Sequence, residues 1–295
     1  MLIFLITFIW GYAWVIMKAS LDYMGPFTFS SLRFLTGSIT MIIIVVLLRL
    51  GVPPRRYWGH LAVIGFLQTA VVFLLVMFAL RFVDAGKSSV LLYSMPMWSS
   101  LLAARFLGEK LTLSKIIGLV MGVIGLIVIV GWDFINFNQP GVIISEILII
   151  IAAIAWGISN VYYRKFVNDL PQVQVSACQM LFGTLVIVLT TVIMEWQEPV
   201  IWNIQSIYYI LFTGIFASAF CFTLWFVVMS EIDMATATIS TMLVPVFGLI
   251  LSQLILAEKM TASVLLGSGL IIFGIIIATS KSTSLKKMDR LDREL

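Results

Sequence analysis

The chain has 295 residues, of which 61% are hydrophobic and only 11% are charged. A soluble domain is about half apolar and a quarter charged, so a water-soluble core cannot bury this much apolar surface, and the lipid bilayer is expected to be part of the protein's solvent. The net charge of +4, without a basic arm, excludes a nucleic-acid-binding protein. Two cysteines in apolar segments and a single histidine exclude a disulfide framework and leave little for a metal site, so no cofactor is expected.

Ten apolar segments of about 20 residues follow one another along the chain, the length that crosses a bilayer as an α-helix. The predicted spans are 2–19, 27–48, 60–80, 88–107, 114–132, 142–163, 173–194, 206–228, 235–256 and 262–280. The first is not interpreted as a signal peptide, because it lacks a basic N-terminal region and has a counterpart in the second half of the chain. The pattern predicts an all-α integral membrane protein with ten transmembrane helices.

The fourth and fifth spans are repeated by the ninth and tenth at a constant offset of 149 residues. The matched pairs are Asp84 with Asp233, Pro96 with Pro245, Glu109 with Glu258, Lys110 with Lys259, Thr112 with Thr261, Ser114 with Ser263, Gly118 with Gly267 and Gly125 with Gly274. A common membrane-helix composition is the alternative explanation, but the polar turn between the spans repeats as well. The repetition therefore indicates an internal duplication.

The first two spans are repeated by the sixth and seventh at an offset of 146 residues. The matched pairs are Trp10 with Trp156, Gly11 with Gly157, Trp14 with Asn160, Lys18 with Arg164, Arg33 with Gln179 and Gly37 with Gly183. We therefore divide the chain into two five-helix repeats, 1–134 and 142–280, followed by a polar tail at 281–295.

The odd number of spans in each repeat predicts that the second repeat is inverted in the membrane. The loop after the second span carries Arg49, Arg55 and Arg56, whereas the equivalent loop at 195–205 has neither Lys nor Arg. Because basic residues concentrate in short cytoplasmic loops, both termini are expected in the cytoplasm of a cell with the protein in its plasma membrane, and a bacterial inner membrane is the expected location. The acidic loop at 230–233 runs against this rule.

These features resemble the EamA family of the drug/metabolite transporter superfamily. The resemblance rests on the two five-span halves, on a Trp-Gly pair near the start of each with a basic residue about eight positions later, and on the Gly-Glu-Lys-x-Thr turn at 108–112 before a helix with spaced glycines. It covers essentially residues 1–280. It implies a ten-helix carrier with a central cavity between the halves, in a family that often exports amino acids or related metabolites.

Two prolines, Pro96 and Pro245, fall near the middle of spans four and nine. Each removes a backbone donor and leaves the carbonyl four residues earlier, at Leu92 and Thr241, short of a partner. Paired helix breaks at matching positions of inverted repeats indicate a binding site near the membrane midplane. A packing kink satisfied by neighbouring hydroxyl groups is the alternative.

A second set of candidates lies on matching helix faces that the predicted cavity would expose. Residues i, i+4 and i+8 share a helix face, and the set consists of Trp10, Trp14 and Lys18 in the first repeat and Trp156, Asn160 and Tyr163 or Arg164 in the second, with Tyr93 and Trp98 flanking Pro96. The alternative is that these Trp and Tyr side chains lie at the membrane–water interface. That location does not suit Trp10 and Trp156, which are in the middle of their predicted spans. Lys18 lies at a span end, where its ammonium group can also extend to water.

Arg33 is the most informative charge, because it lies about two turns into span two. It can bind a substrate carboxylate, or it can extend to the outer interface. Its counterpart Gln179, like Gln68 and Gln253, is expected to form hydrogen bonds between helices. All Asp and Glu residues fall in turns, the tail or within about a turn of a predicted span end, with Glu146 the deepest. The lack of a central carboxylate argues against a cation exporter that uses a buried Glu.

We therefore expect a secondary transporter that exports an amino acid or a related carboxylate by alternating access between the two repeats. A multidrug or cation exporter and a membrane receptor without transport are the alternatives. An enzyme is not expected, because HExxH, GxSxG and GxxxxGK[ST] motifs are all missing from the sequence. The expected partners are the lipid bilayer and a small-molecule substrate. The chain is expected to act as a monomer or a homodimer, since Gly118 and Gly122 suit either a dimer contact or packing within the chain.

Overall fold

A computed structural model of the chain describes residues 2–108, 112–135, 140–231, 241, 243–274 and 276–277, and regular structure in these residues is helical, with no strand. The α-helices are α1 (Leu2–Ser20), α2 (Pro26–Leu47), α3 (Trp58–Ile64), α4 (Val72–Ala79), α5 (Ala85–Leu92), α6 (Met95–Phe106), α7 (Leu113–Ile135), α8 (Pro140–Phe166), α9 (Gln172–Met194), α10 (Ile204–Leu211), α11 (Cys221–Glu231), α12 (Leu243–Leu256) and α13 (Ala262–Gly274). Two π-helical segments, Gly65–Val71 and Phe212–Phe220, join α3 to α4 and α10 to α11.

Seven helical stretches within the described residues are long and apolar enough to cross a membrane. They are Ile3–Ser20, Pro26–Leu47, Arg55–Ala79, Leu113–Val130, Pro140–Phe166, Gln172–Met194 and Ile204–Val228. The helices α12 and α13 are apolar but shorter. The all-helical membrane architecture is therefore confirmed, while the arrangement of ten helices in two repeats stays a prediction. The predicted polar tail, the turn at Glu109–Lys110 and the loop at 232–233 lie outside the described residues.

The predicted span 88–107 is two helices rather than one. Helix α5 ends at Leu92 and α6 begins at Met95, with Pro96 in its first turn. Proline has no N–H to donate to the carbonyl four residues earlier, so the helix breaks just before it. The hydroxyl and the backbone N–H of Ser94 both donate to the Leu91 carbonyl, at 2.7 and 3.2 Å, which closes the end of α5.

Glycines allow helices from the two halves of the chain to approach closely at matched positions. Gly65 lies against the backbone of α9 at Gln179, and a Cβ added to it would collide with the Gln179 carbonyl oxygen. Gly214, 149 residues later, lies against α2, where a Cβ would be 2.7 Å from the Arg33 carbonyl oxygen. Each of these glycines belongs to one of the two π-helical segments. The same local geometry therefore occurs twice, and it brings each π-helical segment against a helix of the other half.

The glycines of α7 also pack within the chain. A Cβ on Gly125 would lie 2.7 Å from the Gly267 carbonyl oxygen, and a Cβ on Gly274 would lie 2.6 Å from the Gly118 carbonyl oxygen. Gly122 faces the side chain of Met97. These contacts correspond to the intramolecular alternative for Gly118 and Gly122, in which small residues let α7 and α13 pack closely.

Candidate functional site

A cluster of aromatic rings occupies the interior of the helix bundle. Trp10 of α1 meets Trp156 of α8 with ring centroids 6.3 Å apart, and it also meets Phe222 and Trp225 of α11 at 5.9 and 6.0 Å. Tyr93, at the end of α5, lies 6.0 Å from Trp156. All five rings are buried. We call these five residues the central aromatic cluster, and it brings together three of the residues predicted from sequence.

Two tryptophans of this cluster leave their indole N–H groups without a hydrogen-bond partner. Trp10 Nε1 donates to the carbonyl oxygen of Ala217 at 2.9 Å. Its repeat counterpart Trp156, and also Trp225, have no partner for Nε1 among the described residues, although both rings are at most 4% exposed. A buried donor without an acceptor is costly, so these two groups suit a ligand that supplies acceptors.

Two glutamines and an asparagine next to the cluster are also only partly satisfied. Ser159 donates to Gln68 Oε1 at 3.1 Å and Thr69 donates to Gln179 Oε1 at 2.7 Å, which fits the prediction that these glutamines bond between helices. The Nε2 atoms of both glutamines have no partner. Asn160 donates to Met95 Sδ at 3.2 Å and leaves Oδ1 unpaired. The unpaired groups around the cluster therefore comprise four donors and one acceptor.

Arg33 adjoins this region and is only 2% exposed, so it does not extend to the interface. Its Nε donates to Ser218 Oγ at 2.9 Å, and its guanidinium group lies over the rings of Phe73 and Phe34 at 4.5 and 5.0 Å. The Phe73 ring in turn lies 6.2 Å from Phe222 of the cluster. In the described part of the chain no carboxylate forms an ion pair with Arg33. Its Nη1 also donates to Met17 Sδ at 3.0 Å. A buried guanidinium group held by a hydroxyl, a thioether and two rings retains N–H groups for an anion.

Lys18, which is predicted either to line the cavity or to extend to water, is partly exposed and contacts the segment that follows α4. Its Nζ donates to the carbonyl oxygens of Leu80 and Val83, the latter at 3.1 Å. These carbonyls follow the last turn of α4, where the helix leaves acceptors unsatisfied and its dipole favours a cation. Lys18 therefore caps α4 and ties α1 to it.

The remaining predicted residues do not belong to the cluster. Tyr163 is buried and lies 5.0 Å from Phe226. Trp14 is buried near Gly248 of α12, and Trp98 is partly exposed and donates to Ser94 Oγ at 3.2 Å. Pro96 and Pro245 are buried in α6 and α12. Gln253 is exposed.

Glu146 corrects the expectation that carboxylates stay close to the span ends. It is the seventh residue of α8, just under two turns into the helix, because α8 begins at Pro140 rather than at 142. Its side chain is fully buried and forms an ion pair with Lys87 of α5. Among the described residues, no group of three His, Cys, Asp or Glu side chains could hold a metal ion.

Sequence reasoning missed Trp225 and Phe222 of the cluster, as well as Met95, Ser218 and Phe73 beside it. The criterion applied to Trp10 and Trp156, a tryptophan far from both ends of a span, does not select Trp225, which lies three residues before the end of the predicted span 206–228. The other four residue types are common throughout membrane helices, and no signal in the sequence separates those that face the site from those that face lipid.

Comparison with known proteins agrees with this helical, partly polar interior. The EamA-like transporter family matches residues 1–131 and 143–280. The Bacillus subtilis (strain 168) protein named uncharacterized transporter YoaV is 31% identical over 275 residues, which cover 93% of this chain and 94% of that protein. A Salmonella typhimurium protein named probable amino-acid metabolite efflux pump is 25% identical over 92% of both chains.

One crystal structure, at 21% sequence identity, matches with a TM-score of 0.68 over 94% of this chain and 96% of the other, which supports the fold. The family match covers nearly the whole chain, and the described helices are apolar enough to cross a membrane several times. The chain is therefore a multi-pass membrane transporter that belongs to the EamA-like transporter family.

Proposed function

We propose that the chain is a secondary transporter that exports a small metabolite bearing a carboxylate, such as an amino acid. The observation that carries this proposal is the excess of unpaired donors around the central aromatic cluster, beside the buried cation of Arg33. A carboxylate offers two acceptor oxygens, and a guanidinium group can bind both at once. The aromatic rings would pack the apolar part of the substrate. The named efflux activity of the Salmonella relative points to the same substrate class.

An organic cation is the competing substrate, because aromatic rings attract cations. Arg33 opposes it, since two like charges 4 Å apart repel by about 4 kcal/mol at an effective dielectric of 20. The unpaired indole N–H groups of Trp156 and Trp225 are also donors, and a quaternary ammonium has no acceptor for them. The charge and the donors together favour the carboxylate.

Alternating access between two inverted five-helix repeats, 1–134 and 142–280, is the mechanism we propose for this transport. The matched glycine contacts at Gly65 and Gly214 support it, because they have the form expected when two related units pack across a two-fold axis in the membrane plane. Polar contacts also tie the halves together at both ends of the bundle. Gln174 donates to the Leu50 carbonyl at 2.6 Å at one end, and Ile201 donates to the Tyr23 carbonyl at 2.8 Å at the other. Substrate exchange then requires one end to open while the other stays closed.

The orientation is tested by labelling. Single cysteines placed in the loops at 49–60 and 195–205, in a background without Cys178 and Cys221, are exposed to a membrane-impermeant thiol reagent on whole cells. We expect the 195–205 loop to react and the 49–60 loop to be protected, because the basic loop is assigned to the cytoplasm. Reaction of the 49–60 loop alone would reverse the orientation.

The carboxylate site is tested with a matched pair of substitutions in purified protein reconstituted into liposomes. Trp156→Phe removes an unpaired N–H group, whereas Trp10→Phe removes one that already bonds to Ala217. A hydrogen bond to a charged group contributes about 1.5–3 kcal/mol, so Trp156→Phe should weaken counterflow of a radiolabelled amino-acid mixture about tenfold to a hundredfold. Its thermal stability should stay unchanged, and Trp10→Phe should show the larger loss of stability. Equal transport by wild type and Trp156→Phe would contradict the assigned role.

A further inference from the structure

A buried ion pair joins the two halves of the chain away from the central aromatic cluster. Lys87 is the third residue of α5, and its Nζ contacts Oε1 of Glu146 in α8. The side chains of Lys87 and Glu146 are 12% and 0% exposed, respectively. Ionisable residues within membrane spans are costly and are usually functional. The pair contributes nothing to the proposed substrate site, so it requires a separate explanation.

The pair lies at the end of the bundle that the distribution of Lys and Arg assigns to the outside. Here Glu258 accepts from the backbone N–H groups of Ala85 and Gly86, at 2.8 and 3.1 Å, just before Lys87. At the same end, Glu195 accepts from the backbone N–H of Thr28 at 2.7 Å. Each of these contacts links the first half to the second, so opening this end would have to break them.

Several other charged side chains lie at the outer end of the bundle, and a pH response has to be assigned to one of them. Besides Lys87 and Glu146, they are Lys18, Asp22, Arg81, Asp84, Glu195, Glu198 and Glu258. Arg81 lies 3.9 Å from Glu198, and both side chains are more than 40% exposed. Glu195 and Glu258 face helix N-termini, and Lys18 faces helix carbonyls. Among these charged groups, Glu146 has a fully buried side chain, and its partner is Lys87 from the other half of the chain.

We propose that Glu146 binds a proton from the external solution when the outer end opens, with Lys87 as its counter-ion in the closed conformation. Separation of α5 from α8 takes the Lys87 ammonium group away from the Glu146 carboxylate and lets external water reach it. A nearby cation favours the ionised form of a carboxylate, so Glu146 binds a proton more readily in the open conformation than in the closed one. The proton moves from external water to a carboxylate oxygen, and the Lys87 ammonium group is hydrated. Low external pH should therefore favour the outward-open conformation.

In the alignment of the two repeats, the Lys87–Glu146 pair has no counterpart at the opposite end of the bundle. Lys87 matches Thr236 at the offset of 149 residues, so the second repeat has no lysine to form the equivalent ion pair. The proton-linked contact thus belongs to one end of the molecule alone. This asymmetry would let external pH act on the outer end without an equal effect on the cytoplasmic end. The inference rests on the proposed alternating access but not on the identity of the substrate.

The test measures opening directly and without substrate. Spin labels at positions 82 and 197, exposed sites in the first and second halves at this end, report the distance across the outer end in lipid nanodiscs at pH 5–9. We expect a longer distance to become populated as the pH falls, with an open-to-closed ratio that changes up to about tenfold per pH unit for one controlling proton. Glu146→Gln should populate the longer distance at every pH, because it cannot form the ion pair.

Matched variants assign the response to one group. Glu195→Gln and Glu258→Gln should keep the pH dependence, and Lys87→Gln should weaken it, because Glu146 then lacks its counter-ion in both conformations. The infrared carbonyl stretch of a protonated carboxylic acid should appear as the pH falls and be absent in Glu146→Gln, which keeps the test decisive if a variant folds poorly. A pH response retained in Glu146→Gln, or one abolished in Glu258→Gln or Glu195→Gln, would overturn the proposal. If the pH response depends on Glu146 but the protein transports no carboxylate, the substrate assignment is refuted and the proposal for Glu146 stands.

Discussion

Replacement of Arg33 by glutamine separates substrate recognition from folding. The substitution removes the buried positive charge and copies Gln179, the equivalent residue of the other repeat. Arg33 donates hydrogen bonds to Ser218 Oγ and Met17 Sδ and lies over the rings of Phe73 and Phe34. A glutamine side chain can keep a polar contact with Ser218 while losing both cation–ring interactions.

The expected effects on stability and on binding differ in size. Loss of a hydrogen bond from a charged group costs about 1.5–3 kcal/mol, and each cation–π interaction adds roughly 0.5–2 kcal/mol. Removal of a charge from the interior of a membrane span regains roughly 2.5–3.5 kcal/mol, which offsets part of these losses. Truncation of one partner of a buried, hydrogen-bonded charge pair costs about 2–5 kcal/mol of binding free energy. Affinity for a carboxylate should therefore fall roughly 30-fold to a few thousandfold.

The assay is counterflow of a radiolabelled amino-acid mixture into liposomes that contain wild type, Arg33→Gln or Arg33→Lys. Thermal unfolding of the same preparations is measured in parallel. Arg33→Lys keeps the charge without the bidentate geometry and should give an intermediate affinity. Arg81→Gln is the matched control, because Arg81 has a side chain that is 44% exposed at the end of the bundle. Transport of a quaternary ammonium dye, undiminished by Arg33→Gln, would refute the carboxylate assignment.

Two further predictions concern the backbone. Pro96→Ala and Pro245→Ala should each lower transport while the protein still inserts and folds, because the helix breaks contribute to the site, and full transport by the double variant would show that the kinks serve packing alone. Gly65→Ala should lower the thermal unfolding midpoint, since overpacking costs about 1–3 kcal/mol and its Cβ would meet the α9 backbone. Gly59→Ala is the control, because nothing lies within 4 Å of its added Cβ, and equal loss in both variants would contradict the packing argument.

Much of the candidate site was accessible from sequence because the repeats select the same positions twice. Trp10 and Trp156 are matched at an offset of 146 residues, and the structure brings their rings together. The difference between them was not predictable. One indole N–H reaches the Ala217 carbonyl and the other reaches no acceptor, and this depends on small differences in helix docking.

The sequence by itself determined the membrane class, the approximate positions of seven apolar spans and the family resemblance, because span length, hydropathy and repeat spacing are local or one-dimensional properties. Only the tertiary structure decided which polar atoms pair. It placed Lys18 on the carbonyls that follow α4, Glu146 on Lys87 and Arg33 between two rings. Apart from the contact of Arg33 with its neighbour Phe34, these contacts join residues about 40 to 65 positions apart along the chain. In a bilayer a buried polar group must find its partner on a neighbouring helix, and the docking of the helices selects that partner.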